Sequence, residues 1–223
     1  MVIWQPLNNA IEVADRTVEL INIAARTAIQ EKGYFSLVLA GGSTPRLAYE
    51  KLAKQDHQWS HWKLYYGDER CLPINDNQRN SQMVISTGLC EHITQHYPIS
   101  GELGNLLASQ QYEQVIEDEM PFDMVLLGLG EDGHTASLFP DHPWPQSNVA
   151  AISHSPKPPS DRVSLSAKAL QNCQQMLVLV TGDNKKHAVK KWRDNDDALP
   201  INRVCNVDHC TVLIEKHLID SAN

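Results

Sequence analysis

Apolar residues along this chain fall into two spacings. Over residues 10–30, Ile11, Ala14, Val18, Ile21, Ala25 and Ala28 recur every three or four positions, which predicts an amphipathic helix; Gly33 supplies its stop. Residues 35–40 are a short, mostly apolar run, the pattern of a strand buried on both faces of a parallel sheet. The turn-forming stretch 41–45 interrupts it, and Leu47, Leu52 and Ala53 predict a second helix. Residues 62–66 are the next strand candidate, followed by helices predicted over about 78–90 and 105–119. Strands are expected at 124–127, 149–153, 162–166, 175–180 and 210–215. A short helical patch at 167–171 and a helix running to about Trp192 lie between the last of these. The proline-rich run 155–159 cannot join a central strand.

Strands that alternate with helices predict an α/β fold, a Rossmann-like, mostly parallel sheet flanked by helices on both faces. No repeat, low-complexity tract or flexible linker divides the chain, so residues 1–223 read as one domain, long enough to bury a sizeable core.

Composition narrows the partners. Hydrophobic residues make up 42% and charged residues 21%, ordinary values for a globular protein. A formal net charge of −8 and a pI near 5.6 disfavour nucleic acid or an anionic membrane as a main partner. An anionic substrate would therefore need a local cationic pocket. The five cysteines, Cys71, Cys90, Cys173, Cys205 and Cys210, form no CxxC pair and no metal-ligand spacing, which reads as reduced thiols in a cytoplasmic protein. No span approaches the ~20 apolar residues needed to cross a bilayer. The first residues lack a basic n-region and an apolar h-region, so no signal peptide is expected. His57/His61 and His92/His96 have i,i+4 spacing but no HExxH pattern, and read as solvated or core histidines.

In such sheets ligands bind beyond the carboxyl ends of the strands, and four of the loops expected there are chemically loaded. In the first, Gly41 and Gly42 open backbone N–H groups and Ser43 or Thr44 can cap the following helix, an arrangement that favours an anion; a plain capped helix start is the alternative. It is neither GxGxxG nor Walker A, so nucleotide binding is not indicated. The second loop, 67–73, carries Asp68, Glu69 and Arg70, which alone would read as a solvated turn. The third places Glu131, Asp132 and His134 after Gly128-Leu-Gly130, where a histidine suits general acid/base work. The fourth, 181–186, puts Lys185 at a helix start, where the dipole disfavours a cation unless an anion shares the site. Lys186, Lys190 and Lys191 read as surface lysines.

These segments carry a resemblance. The blocks 39–45, 66–73, 79–81, 126–140, 162–166 and 182–185 run, in order and over most of the chain, like those of the 6-phosphogluconolactonases, within the wider glucosamine-6-phosphate deaminase/6-phosphogluconolactonase superfamily. Block 126–140 is the most specific. Ser164 and Ser166 depart from threonines common in the family, and the Asn80-Ser81 order is one of two variants. The resemblance implies hydrolysis of 6-phospho-D-glucono-1,5-lactone to 6-phosphogluconate in the oxidative pentose phosphate pathway. His134 would then be the base that activates water and Asp132 would orient it. Arg70 would stabilise the oxyanion or bind substrate, and Asp68 would hold sugar hydroxyls. Gly41, Gly42, Ser43, Arg162 and Lys185 would bind substrate, mainly through its phosphate. The implied chemistry needs neither metal nor organic cofactor. The partner would be a phosphorylated sugar lactone, and monomer and homodimer both remain open. Two alternatives stand beside it. The deaminase branch resembles GxDGHIAFNEP, with a glutamate five residues past the histidine, where this chain has Phe139. The other is a non-catalytic sugar-phosphate sensor, for which residues 1–33 are too short and insufficiently basic to look like a DNA-binding segment.

Overall fold

A computed structural model describes residues 2–144 and 146–220. The ends of the expected 1–223 domain, residue 1 and residues 221–223, lie outside the described residues. In chain order the elements are β1 (Ile3–Leu7), α1 (Ala10–Lys32), β2 (Phe35–Leu39), α2 (Ser43–Leu52), β3 (Trp62–Tyr66) and β4 (Asp68–Arg70). They continue with α3 (Asn80–Ser86), β5 (Gln95–His96), α4 (Asn105–Ile116), β6 (Phe122–Gly128), β7 (Val149–Ile152) and β8 (Arg162–Leu165). The last are α5 (Ala167–Gln171), β9 (Cys173–Val180), α6 (Lys186–Arg193), α7 (Pro200–Val204), β10 (Cys210–Glu215) and α8 (Lys216–Asp220).

Seven strands form one sheet in the order β1-β10-β9-β6-β2-β3-β5, each pair parallel. The connections reverse direction at its centre. From β2 the chain steps outward to β3 and β5, and from β6 it steps the other way to β9 and β10. Right-handed crossovers that run in opposite directions place their helices on opposite faces of the sheet. The strands at the reversal, β2 and β6, are buried along almost their whole length, as expected of a sheet covered on both sides. Helix α1 begins with a reciprocal cap: Asn9 Oδ1 accepts from the Glu12 N–H at 3.0 Å, and Glu12 accepts from the Asn8 N–H at 2.9 Å. Among the described residues no helix is long and apolar enough to cross a membrane.

Two expectations need correction. Residues 68–70 are not a solvated turn but strand β4, and 149–153 does not extend the parallel sheet. Instead β4, β8 and β7 form a separate three-stranded antiparallel sheet. Its short strands follow Gly67 and the proline-rich loop, so nothing in their own periodicity distinguishes them from the neighbouring parallel strands. Elements β1, β5, α7 and α8 were not expected; the first two are sheet edges, β1 partly exposed along its length and β5 only two polar residues long.

Candidate active site

The loops after β2 and β6 diverge where the strand order reverses, and a crevice opens between them, the place where open α/β sheets bind ligands. It holds a cavity of about 210 Å³ whose lining includes Gly41, Asp68, Arg70, His134, Arg162 and Lys185. A larger cleft of about 690 Å³, by Arg26, His57 and Trp62, lies elsewhere and gathers no comparable charged cluster. We assign the site to the crevice because side chains from five separate segments converge there.

His134 is placed by a tight loop. Its carbonyl accepts from the Gly130 N–H at 2.8 Å, and the Gly130 carbonyl accepts from the Gly133 N–H at 3.0 Å. The imidazole folds back over Gly130, where a Cβ would come within 1.9 Å of Nδ1, so only glycine fits beneath the ring. Nδ1 is hydrogen-bonded to Asp132 Oδ1, which makes Nδ1 the protonated nitrogen of the neutral ring and leaves Nε2 as the acceptor. Nε2 has no hydrogen-bond partner among the described residues. Burial acts to raise the Asp132 pKa, but the hydrogen bond to His134 and the charges of His134 and Lys157 outweigh it and hold the carboxyl well below its ordinary range. On one side of the histidine lies Phe139, fully buried, with ring centroids 4.8 Å apart.

The β4 strand explains the chemistry of the second segment. Alternation sends Asp68 and Arg70 toward the cavity and Glu69 away from it. Asp68 is held on both oxygens, by Asn80 Nδ2 at 3.0 Å and Ser137 Oγ at 2.6 Å. Asn80 also lies above Gly41, where a Cβ would meet its Oδ1 at 2.1 Å. Glu69 has no solvent exposure. It accepts from the N–H groups of Asn80 and Ser81 at 2.7 and 2.9 Å, capping α3, and from the Arg70 N–H at 2.8 Å, with Arg79 as its ion-pair partner. Arg70 Nη1 donates to the Gln78 carbonyl at 2.5 Å, while its buried Nε has no partner.

The anion-directed groups come from the first and fourth segments. Helix α2 starts at Ser43, which is exposed and does not line the cavity, although Gly41 and Gly42 do. Thr44 Oγ1 and Thr181 Oγ1, 2.5 Å apart, tie the start of α2 to the loop after β9. That loop presents Lys185 to the cavity as a half-buried ammonium without an ion pair or hydrogen bond among the described residues. Its pKa is lowered, first by burial and then by Lys157, against opposing pulls from Glu131 and Asp132. Arg162 also lines the cavity, but Nε and Nη2 are already engaged by the carbonyls of Pro159, Pro158 and Lys157 at 3.0–3.2 Å. Among the described residues no cluster of three or more His, Cys, Asp or Glu forms a metal site.

Sequence reasoning therefore placed Gly41, Gly42, Asp68, Arg70, Asp132, His134, Arg162 and Lys185 in or beside one crevice, with Ser43 at its margin. Glu69, Arg79, Asn80 and Ser137 lay in segments that were singled out but received no role, and Lys157 was missed. A period of two across 68–70 was the available signal for Glu69. Ser137 and Lys157 meet their partners across 69 and 26 residues of chain, with no local signature.

Fold and crevice together define a doubly wound α/β protein with a histidine–aspartate pair at its switch point. Over residues 8–213 the chain matches the family described as glucosamine-6-phosphate isomerases/6-phosphogluconolactonase, and it belongs to that family. A probable 6-phosphogluconolactonase of Schizosaccharomyces pombe is 32% identical over 191 residues, 73% of this chain and 72% of the relative. The human GDH/6PGL endoplasmic bifunctional protein is 32% identical over 212 residues, 81% of this chain but only 26% of that protein, so the chain spans about a quarter of its length. The crystal structure of 6-phosphogluconolactonase from Thermotoga maritima superposes with a TM-score of 0.86 at 27% identity, covering 97% of this chain and 100% of the other.

Proposed function

We propose that this chain is a 6-phosphogluconolactonase, hydrolysing 6-phospho-D-glucono-1,5-lactone to 6-phospho-D-gluconate. The observation that carries the reading is the Asp132–His134 pair, its Nε2 unengaged, in the same cavity as an unpaired lysine. His134 Nε2 takes a proton from water as the oxygen attacks the lactone carbonyl carbon. Arg70 stabilises the resulting oxyanion, and the imidazolium returns the proton to the ring oxygen as the C–O bond breaks. Asp132 keeps Nδ1 protonated and the ring oriented. Asp68 binds sugar hydroxyls; Gly41, Gly42, Ser43, Lys185 and Arg162 receive the phosphate end, where the N–H groups of α2 and a desolvated ammonium favour an anion. This chemistry requires no metal or organic cofactor. The enzyme acts as one domain on a small phosphorylated lactone, without nucleic acid or membrane, and its five free thiols suit the cytoplasm.

Phe139 argues against the deaminase alternative. It stands where that branch resembles a glutamate-bearing pattern, and its ring packs on the imidazole with no carboxylate to pair there. The deciding experiment generates the lactone in situ and follows its disappearance with and without the protein. Loss no faster than spontaneous opening, alongside retained 6-phosphogluconate binding, would favour the non-catalytic sensor.

A further inference from the structure

Lys157 takes no part in the reaction as set out above, yet its ammonium touches the proposed catalytic pair. Nζ lies 3.2 Å from Glu131 Oε1 and 3.6 Å from Asp132 Oδ1. That second oxygen is the one that binds His134 Nδ1. The backbone under Lys157 is anchored. Its carbonyl accepts from Arg162 Nη2 at 3.2 Å and Ser155 Oγ at 2.9 Å, and its N–H donates to Ser155 Oγ at 3.3 Å. The same guanidinium holds the carbonyls of Pro158 and Pro159, and the Ser155 N–H closes the loop on Ser160 O at 2.8 Å. Arg162 is 5% exposed and opens β8, so one buried arginine fixes a loop that delivers a cation to the segment after β6.

We propose that Lys157 is a positioning residue that sets the proton affinity of His134 through their shared partner, Asp132 Oδ1. The proposal rests on the reading of His134 as the base. Two cationic sites on one oxygen lie within about 6 Å of each other, where a unit charge moves a neighbour's titration by roughly half to one pH unit. The direction follows from charge. Lys157 repels an imidazolium and draws on the carboxylate that would stabilise it, so it favours the neutral ring, the form that accepts a proton from water. The other charged groups around the pair modify this without reversing it. Glu131, on the same loop, neutralises part of the lysine, Lys185, from the loop after β9, adds to it, and Asp68 and Arg70, from β4, face the same cavity with opposite charges. Phe139 lies on the remaining side, with Arg162 5.5 Å and His142 5.9 Å from its ring. A phosphate bound at Lys185 would cancel that cation, leaving Lys157 beside the base during turnover.

The test titrates the His134 imidazole by NMR, its resonance identified by loss in His134→Asn, and measures the acid limb of kcat/KM. Both are followed at low salt in the wild type, Lys157→Met and Lys157→Arg. In Lys157→Met both midpoints move to higher pH by about half to one unit, and Lys157→Arg restores them. Added salt narrows the difference. An NMR midpoint unchanged in Lys157→Met overturns the proposal, and if KM rises at the same time the lysine is a substrate contact instead. A moved NMR midpoint with an unmoved acid limb keeps the role of Lys157 and sinks the assignment of His134 as base.

Discussion

At the lower end of the large sheet, where β2, β3 and β6 begin, Lys32 pairs with Asp123 at 3.1 Å and Lys63 with Glu119 at 2.8 Å. The ring of Tyr34 lies under both ammonium groups, 4.1 and 3.9 Å from its centroid, and Asp123 also receives the N–H and hydroxyl of Ser36. At the upper end β3 leads to Arg70, whose buried Nε has no partner, and the neighbouring β9 leads to Lys185, whose ammonium has none among the described residues. The chemical types match; the lower cations are paired while Arg70 Nε and Lys185 are not, although Glu119 Oε1 at the lower end is itself buried without a partner among the described residues. A buried or half-buried donor without a partner costs free energy, so the lower end contributes to the fold while the upper end is tolerated for what it can bind. Glu69 refines the contrast, since it lies between two cavity residues and yet both its oxygens are engaged.

The strongest way to break this division is His134→Asn. Asparagine preserves volume and a hydrogen bond but cannot serve as base near neutrality, so kcat should fall by roughly 10²–10⁴ while 6-phosphogluconate still raises Tm. Near wild-type turnover would remove His134 as base, and joint loss of binding and turnover would make it a structural residue. The pH profile sharpens the same point. Asp132 has a folded-state pKa below its ordinary value, so the stability it contributes is present above the carboxylate range and lost only as pH falls through that lower value. It therefore remains ionised across the mildly acid range. After subtraction of spontaneous opening, a kcat/KM profile that stays flat from mildly acid to neutral pH counts against a histidine base.

Glu69→Ala attacks the saturated group at the upper end. It leaves three backbone N–H groups without their acceptor and Arg79 with only Glu102 and the Ile99 carbonyl, and unfolding free energy from denaturant titration should drop by about 3–5 kcal/mol. An unchanged midpoint would show that this carboxylate does not anchor β4 and α3. Lys185→Ala should do the reverse. KM rises by roughly 30- to 150-fold, about 2–3 kcal/mol, while stability holds or improves, because an ammonium that burial destabilises is being removed. A KM left at the wild-type value would take Lys185 out of the phosphate site. The smallest effect is expected from Lys32→Met at the lower end. That partly exposed pair is worth about 0–1 kcal/mol, with kcat and KM unchanged. A kinetic change there would show that the two ends of the sheet are coupled.

Apolar periodicity along the chain was enough for α1, the buried runs of β2, β6 and β9, and the alternation that implies a parallel sheet, because buried strands and amphipathic helices write their burial into local spacing. Glycine placement was likewise sufficient to mark the two loops at the switch point, and His134, Asp132 and Lys185 were legible as chemistry on strand ends, whereas Asp68 and Arg70 entered only through the family resemblance. Tertiary structure alone decided the rest. Three residues, 68–70, became a strand only because β8 lies across them, and β7 joined the small sheet for the same reason; a strand that short has no period of its own to read. Saturation and availability are also properties of neighbours rather than of residue type. Glu69 and Asp68 are adjacent carboxylates, yet one is closed off by Arg79 and the N–H groups of α3, and the other faces the cavity held by Ser137 from 69 residues away. Hydrophobic burial acts residue by residue and leaves its record in sequence. Hydrogen bonding between distant segments depends on which chain arrives opposite, and only the folded molecule settles that.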